Sequence, residues 1–268
     1  MPHDRRDPGQ GRSGARVDAI AAWMLCVVMV SGCQESANEA SPGTSFPEPM
    51  SEADESRFEA EREMLINQLA SRGIVDPEVL RAMRAVPRHR FVPARLQRRA
   101  YEDRPLSIGL EQTISQPFIV AMMTEALELR SRSRVLEVGT GSGYQAAVLA
   151  EITPHVYSIE ILAPLAEQAQ RNLEDAGYPD VHCRVGDGYY GWPEEAPFDA
   201  IVVTAAPGFV PPKLKEQLAV GGRLCIPVGE EGVVQRLMLL TRMGDGEIRE
   251  EMLELVRFVP MTGAVRDG

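Results

Sequence analysis

The sequence predicts one doubly wound α/β domain: a mostly parallel sheet with helices on both faces, antiparallel strands near its carboxyl end, and a helical preface. Three observations predict it. Short apolar runs alternate with helical stretches between residues 135 and 227, the pattern of parallel strands covered on both faces. Two later strand-like runs flank the turn Gly244-Asp245-Gly246, which reads as a hairpin. A chain of 268 residues with 44% apolar composition has enough material for a substantial core, and it excludes disorder throughout or a fibrous repeat.

The preface comes first. Residues 57–72 place Phe58, Leu65, Ile66 and Leu69 at near-helical spacing, and Gly73 follows as a stop. Asp76-Pro77-Glu78 opens a second helix, with Asp as N-cap and Pro at the first position; it ends near Pro87. A third helix should begin near Pro117 and run through Leu129. Strands are then expected over residues 135–138, 156–159, 181–185, 198–204 and 223–227. Helices over 143–152, 162–176 and 212–218 lie between them, the second stopped by Gly177. The closing strands are expected over 234–242 and 251–258. In such sheets ligands sit beyond the carboxyl ends of the strands.

Charge is unevenly spread. The formal net charge is −11, from 28 basic and 39 acidic residues, which argues against general nucleic-acid binding because neutralising phosphates needs a basic surface. Four cysteines exclude a disulfide scaffold. Cys183 and Cys225, with no CxxC and no neighbouring His pattern, read as buried strand thiols, and no metal site is expected. Residues 34–56 hold six acids and no base, a solvated linker by composition. Residues 81–104 hold eight arginines and two acids. That run reads either as a solvated face or as an electrostatic guide for acidic peptides.

The amino terminus has the marks of an export signal. Four arginines precede the apolar run AIAAWMLCVVMV over residues 19–30. Twelve residues are too few for a bilayer span, which takes about 20, but they suit a signal-peptide core. The run ends in Val30-Ser31-Gly32-Cys33, which resembles the bacterial lipobox, with Cys33 as the lipid-attachment site. The expected location is the cell envelope, lipid-anchored and facing the periplasm; a mis-assigned start before a cytoplasmic protein is the alternative.

The glycine loop points to a nucleoside cofactor. The first strand runs into Glu137-Val138-Gly139-Thr140-Gly141-Ser142-Gly143. This GxGxG spacing differs from the GxGxxG of dinucleotide folds and fits S-adenosyl-L-methionine better than a reductase's cofactor. Glu160 closes the second strand, where a carboxylate can accept ribose hydroxyls. Gly186-Asp187-Gly188 follows the third strand, and Asp187 can accept from an adenine amino group.

With these pieces the sequence resembles the protein-L-isoaspartate O-methyltransferase family over about residues 60–263. The matching stretches are SIGLEQTISQPFIVAMMTEAL (107–127), VLEVGTGSGYQAAVLAEI (135–152), GDGYYGWPEEAPFDAIVVTAA (186–206) and GGRLCIPVG (221–229). The resemblance implies the S-adenosylmethionine-dependent methyltransferase (Rossmann-like) fold. It also implies methyl transfer from S-adenosyl-L-methionine to the free α-carboxylate of isoaspartyl residues in damaged proteins, whose ester then collapses to a succinimide. Together with the amino-terminal pattern and the acidic composition, this gives the expected organisation: a signal peptide with lipobox over 1–32, an acidic linker over 33–56 and the methyltransferase domain over 57–268. An exported, catalytically silent binding module is the competing class; measurable donor affinity separates the two. Oligomeric state and tolerance of D-aspartyl substrates are left open.

The chemistry agrees with that substrate. An α-carboxylate has a reference pKa of about 3.3–3.7 and is already an ionised nucleophile near neutrality, so no general base is required. His89, His155 and His182 read as surface histidines. The reaction needs the anion positioned without being over-stabilised. The resemblance places the family's active-site serine or threonine at Ser115, whose hydroxyl can orient a carboxylate without adding charge. Capping the helix that begins near Pro117 is the other role open to Ser115. By the same resemblance Thr113, Ile114 and Thr262 match donor-pocket positions; Thr204, just past the fourth strand, is near enough to the ligand edge to contact substrate.

Overall fold

The computed structural model describes residues 51–266; the expected signal segment and Cys33 lie outside them. The preface holds α1 (Glu52–Ser71) and α2 (Pro77–Ala85). Helix α1 begins five residues before the expected start, inside the stretch read as linker. The reason is local: Ser51 caps it by accepting from the Asp54 backbone N–H, and Glu52, Asp54 and Glu55 occupy its first turn, where negative charge is favoured by the helix dipole. Asp76 caps α2 as expected.

An irregular stretch leads to a hairpin of β1 (Leu106–Gly109) and β2 (Gln112–Ile114), then to α3 (Pro117–Ala126). The hairpin is absent from the sequence reading. Its turn residues Leu110 and Glu111 both have positive φ, 50° and 60°, a conformation usually signalled by Asn or Gly.

The remaining elements alternate as expected: β3 (Val135–Val138), α4 (Tyr144–Ala150), β4 (Val156–Glu160), α5 (Ala163–Ala176) and β5 (His182–Val185). Then come β6 (Phe198–Val203), α6 (Pro212–Glu216), β7 (Leu218–Val228), β8 (Gln235–Arg242) and β9 (Ile248–Val256). They build a seven-stranded sheet in the order β5-β4-β3-β6-β7-β8-β9. The first five are parallel; β8 and β9 close the sheet antiparallel. Every residue of β3 and β4 is buried, which is why both read as continuous rather than alternating patterns. From β3 the chain winds outward to β5, then crosses back to β6 on the other side of β3. That reversal leaves a crevice at the strand ends of β3 and β6.

Two sequence expectations change here. His155 and His182 are exposed, but His89 is buried. Its ring stacks on Phe58 with centroids 4.2 Å apart, and Nδ1 lies 2.9 Å from the Tyr101 hydroxyl. Burial, followed by the nearby Arg90, Arg62 and Arg57, lowers its pKa to about 4. The arginine run is likewise not a plain solvated face. Arg81, Arg84, Arg90, Arg99 and Arg104 pair with carboxylates, whereas Arg88 is fully buried. Of the two thiols, Cys225 is buried and Cys183 half-buried; burial pushes the Cys183 thiol up to about 12. Among the described residues no helix is long and apolar enough to cross a membrane.

Candidate active site

A cleft opens at the carboxyl ends of β3, β4 and β6. Its wall includes Thr113, Ile114, Ser115, Glu137, Gly139 and Gly141, together with Glu160, Gly188, Thr204 and Thr262. Ten of the residues expected to bind or react, from six separated stretches of sequence, therefore meet in one place.

The glycine loop turns at the end of β3. Gly139 has φ +99° and Gly141 φ +57°, left-handed values that glycine adopts without Cβ strain. A Cβ on Gly139 would lie 2.4 Å from the Thr204 Oγ1. That hydroxyl donates to the Gly139 carbonyl at 2.6 Å, so Thr204 ties the end of β6 to the loop. Gly143 and Gly186 lie outside the cleft wall. Gly143 starts α4, and a Cβ there would meet Leu173 at 3.0 Å and the Ala169 carbonyl at 3.2 Å; it serves helix packing.

Two glutamate side chains line the cleft in different surroundings. The Glu137 side chain is buried, and its Oε2 accepts from the Ser158 hydroxyl at 2.5 Å. Thr140 Oγ1 lies 2.6 Å from the same serine oxygen. Glu137 Oε1 has no hydrogen-bond partner among the described residues. Burial raises this carboxyl to about 8; the Ser158 hydrogen bond opposes the shift and Glu160 adds to it. Glu160 instead accepts from the Gly141 N–H at 2.9 Å through Oε2 and from the Leu162 N–H at 3.0 Å through Oε1. It braces the glycine loop while lining the cleft.

Asp187 also lies outside the wall. Its Oδ1 accepts from the Tyr189 N–H at 2.9 Å and its Oδ2 from the Ala264 N–H at 2.7 Å. With the Ala206–Val259 and Met261–Ala206 backbone bonds, it fastens the chain end that brings Thr262 to the cleft. The sequence reading missed Tyr144 and Gln145 as lining residues; both directly follow the glycine run, which was the available signal.

Ser115 sits just before α3, but it does not cap it. The N-cap is Gln116 and no side chain of that residue makes the capping bond. Asp103 Oδ1 takes the Phe118 N–H instead, at 2.8 Å. The helix-cap role for Ser115 is thereby excluded. A second cavity lies beside the cleft, lined by Pro105, Gln116, Ile119, Val234, Leu255 and Phe258 among others. Thr113, Ser115, Thr204 and Val259 belong to both cavities. They form the partition between two neighbouring cavities. Among the described residues no group of three or more His, Cys, Asp or Glu is arranged to hold a metal ion.

Comparison with known proteins follows the same lines. The family model described as protein-L-isoaspartate(D-aspartate) O-methyltransferase matches residues 60–266. A protein-L-isoaspartate O-methyltransferase of Opitutus terrae is 60% identical over 203 residues, 75% of this chain and 87% of that protein. One from Gloeobacter violaceus is 57% identical over 199 residues, 74% of this chain and 97% of the relative. Among solved structures, a Plasmodium falciparum protein assigned as a protein-L-isoaspartate O-methyltransferase, in complex with S-adenosyl-L-homocysteine, superposes with a TM-score of 0.66. It is 27% identical, and the match covers 75% of this chain and 98% of that one. Another structure named as a protein-L-isoaspartate O-methyltransferase gives 0.69 at 32% identity, covering 76% of this chain and 67% of that one. The chain belongs to the protein-L-isoaspartate O-methyltransferase family.

Proposed function

We propose that the enzyme moves a methyl group from S-adenosyl-L-methionine to the α-carboxylate of L-isoaspartyl residues in damaged proteins, with the donor in the glycine-loop cleft and the peptide in the neighbouring cavity. The observation that carries this arrangement is the shared partition: Thr113, Ser115 and Thr204 line both spaces, so groups held on either side meet at these residues.

The donor-side residues fit the proposed ligand. Glu137 Oε1 is a buried acceptor without a partner among the described residues, suited to the donor's ammonium group. Glu160 stands at the end of β4, suited to the ribose hydroxyls. Gly139, Gly141 and Gly188 keep side chains away from the cleft, and Ile114 and Thr262 complete the wall. Asp187 serves the adenine end through the loop it fastens, and Gly143 and Gly186 shape the backbone around it. When bound, S-adenosyl-L-methionine supplies a methyl carbon activated by its sulfonium.

On the other side, the Ser115 hydroxyl donates one hydrogen bond to the substrate carboxylate. It fixes the direction of an oxygen that is already anionic, and it leaves the charge free to be lost in the transition state. Holding the reacting atoms in line is worth up to about 7–11 kcal/mol in favourable systems. The histidines are not needed: His89 is neutral and buried in the preface, and His155 and His182 are exposed. The test is transfer of labelled methyl from S-adenosyl-L-methionine to an isoaspartyl peptide and not to its aspartyl isomer. Failure to label the isomerised peptide overturns the proposal.

We further propose that residues 1–32 direct export and that Cys33 is acylated, leaving the enzyme tethered to the cell envelope on the periplasmic side by an acidic segment. The arginines, the 12-residue apolar run and Val30-Ser31-Gly32-Cys33 support this. Incorporation of labelled glycerol and membrane fractionation, both lost on Cys33→Ala, are the expected outcomes; soluble, unlabelled parent protein sinks the tether.

A further inference from the structure

One arginine of the basic run differs from the rest. Arg88 is fully buried. Its Nε donates to the Ala100 carbonyl and its Nη2 to the Ser115 carbonyl, each at 2.8 Å. Its guanidinium carbon lies 4.7 Å from the centroid of the Tyr144 ring, and Tyr144 lines the donor cleft. A guanidinium is planar, with its donors in fixed directions. The Ala100 carbonyl and the Tyr144 ring face therefore fix its plane, and that plane sets the direction in which Nη2 meets the Ser115 carbonyl. Burying a charge is costly, and an apolar side chain would fill the same core volume without that cost. The bonds Arg88 makes are thus the reason to look for a role beyond packing.

Asp103 works on the next residues. Its Oδ1 accepts from the Phe118 N–H at 2.8 Å, and its Oδ2 accepts from the Gln116 side-chain amide at 3.1 Å and pairs with Arg72. Residues 115, 116 and 118 are each anchored from the irregular stretch between α2 and β1. The anchor at Ser115 uses the carbonyl, and no protein hydrogen bond occupies the Ser115 hydroxyl among those of the described residues.

We propose that Arg88, assisted by Asp103, is a positioning residue for methyl transfer: it fixes the backbone at Ser115 so that the hydroxyl is presented at the partition between the two cavities. Arg88 touches neither ligand in this account; it acts through Ser115. The proposal rests on the role given to Ser115 above.

A double-mutant cycle on the full chain tests it. Arg88→Met keeps much of the volume and removes the donors and the charge. In the parent background we expect kcat on an isoaspartyl peptide to fall about 10- to 100-fold, as for a reacting group displaced by about 1 Å. Calorimetry should show S-adenosyl-L-homocysteine affinity held within about threefold, separating turnover from donor binding. In the Ser115→Ala background the same change should lower kcat less than about threefold, because the group being positioned is gone. Equal fold-losses in the two backgrounds, or no loss in the parent, overturn the proposal. If Ser115→Ala alone leaves kcat unchanged, the role of Ser115 fails and this inference fails with it. A Ser115 loss with an additive Arg88 effect removes only Arg88. Should Arg88→Met not unfold cooperatively, Arg88→Lys and Asp103→Asn go through the same cycle, and additivity of both overturns the proposal.

Discussion

The wall of the cleft proposed to hold the donor is made at the ends of adjacent parallel strands, whereas the wall proposed to face the acceptor hangs between a two-stranded hairpin and the start of α3. On the donor side, β3 and β4 pair in register, which sets Glu137 opposite Ser158 and Val138 opposite Ile159. The Gly139 and Thr140 N–H groups then bond the Ile159 carbonyl, so the loop continues the geometry of the sheet. On the acceptor side, Ser115 is held by Arg88, 27 residues earlier in the chain, and its neighbours by Asp103. The difference teaches that one wall inherits its shape from the sheet, while the other has its shape imposed by side chains of the irregular stretch between α2 and β1. Damage to the first should show in donor affinity, and damage to the second in turnover.

The harshest break is at Gly139. Gly139→Ala puts a methyl 2.4 Å from the Thr204 Oγ1 at a φ of +99°. Backbone strain and steric displacement together predict a loss of S-adenosyl-L-homocysteine affinity of about 100-fold, read by calorimetry. Retained affinity means that the loop yields and is not set by the sheet. Next comes Ser115→Ala, with turnover on an isoaspartyl peptide at least about tenfold lower and donor-product affinity unchanged. A matching loss of affinity would merge the two walls into one unit.

Glu137 gives a smaller effect with a definite sign. Its folded pKa is raised to about 8 from an ordinary 4.5, so between those values the folded state holds the proton more tightly than the unfolded chain. Its contribution to stability is therefore lost as pH rises from about 4.5 through about 8. Glu137→Gln should flatten that decline and gain Tm relative to the parent toward pH 8. Each kcal/mol is worth about 2–4 °C in a domain of this size. Parallel Tm–pH curves for the two proteins would remove the buried-carboxyl reading.

The mildest expectation concerns the basic run. Arg81, Arg84, Arg90, Arg99 and Arg104 already have carboxylate partners. Steering of an acidic peptide should accordingly be weak, with kcat/KM changing less than about twofold between low and physiological ionic strength. A steep salt dependence restores the guiding role that the sequence alone allowed.

The parts legible in the sequence are those with short-range causes. The strands, the glycine loop and Glu160 follow from apolar runs, turn chemistry and strand–loop–helix order. The capped start of α2 follows from Asp76-Pro77. The missed parts lack such local signals. The hairpin turns through Leu110 and Glu111, residues that do not announce positive φ. The first turn of α1 is made of acids that by composition suit a linker equally well. His89 and Arg88 sit in a run whose charge marks it as solvated, yet Phe58, Tyr101, Tyr144 and two backbone carbonyls enclose them.

By itself the sequence determined the sheet, its winding and the crest where a nucleoside can lie, because hydrophobic periodicity and glycine's backbone freedom act over a few residues. Tertiary structure alone decided that Ser115 is free of capping, that Asp187 lies outside the cleft wall and fastens the loop that brings Thr262 to it, and that one arginine of eight is buried against the Ser115 backbone. Those outcomes depend on which distant groups pack together, and hydrogen-bond directions across 27 residues of chain are not written in any local pattern.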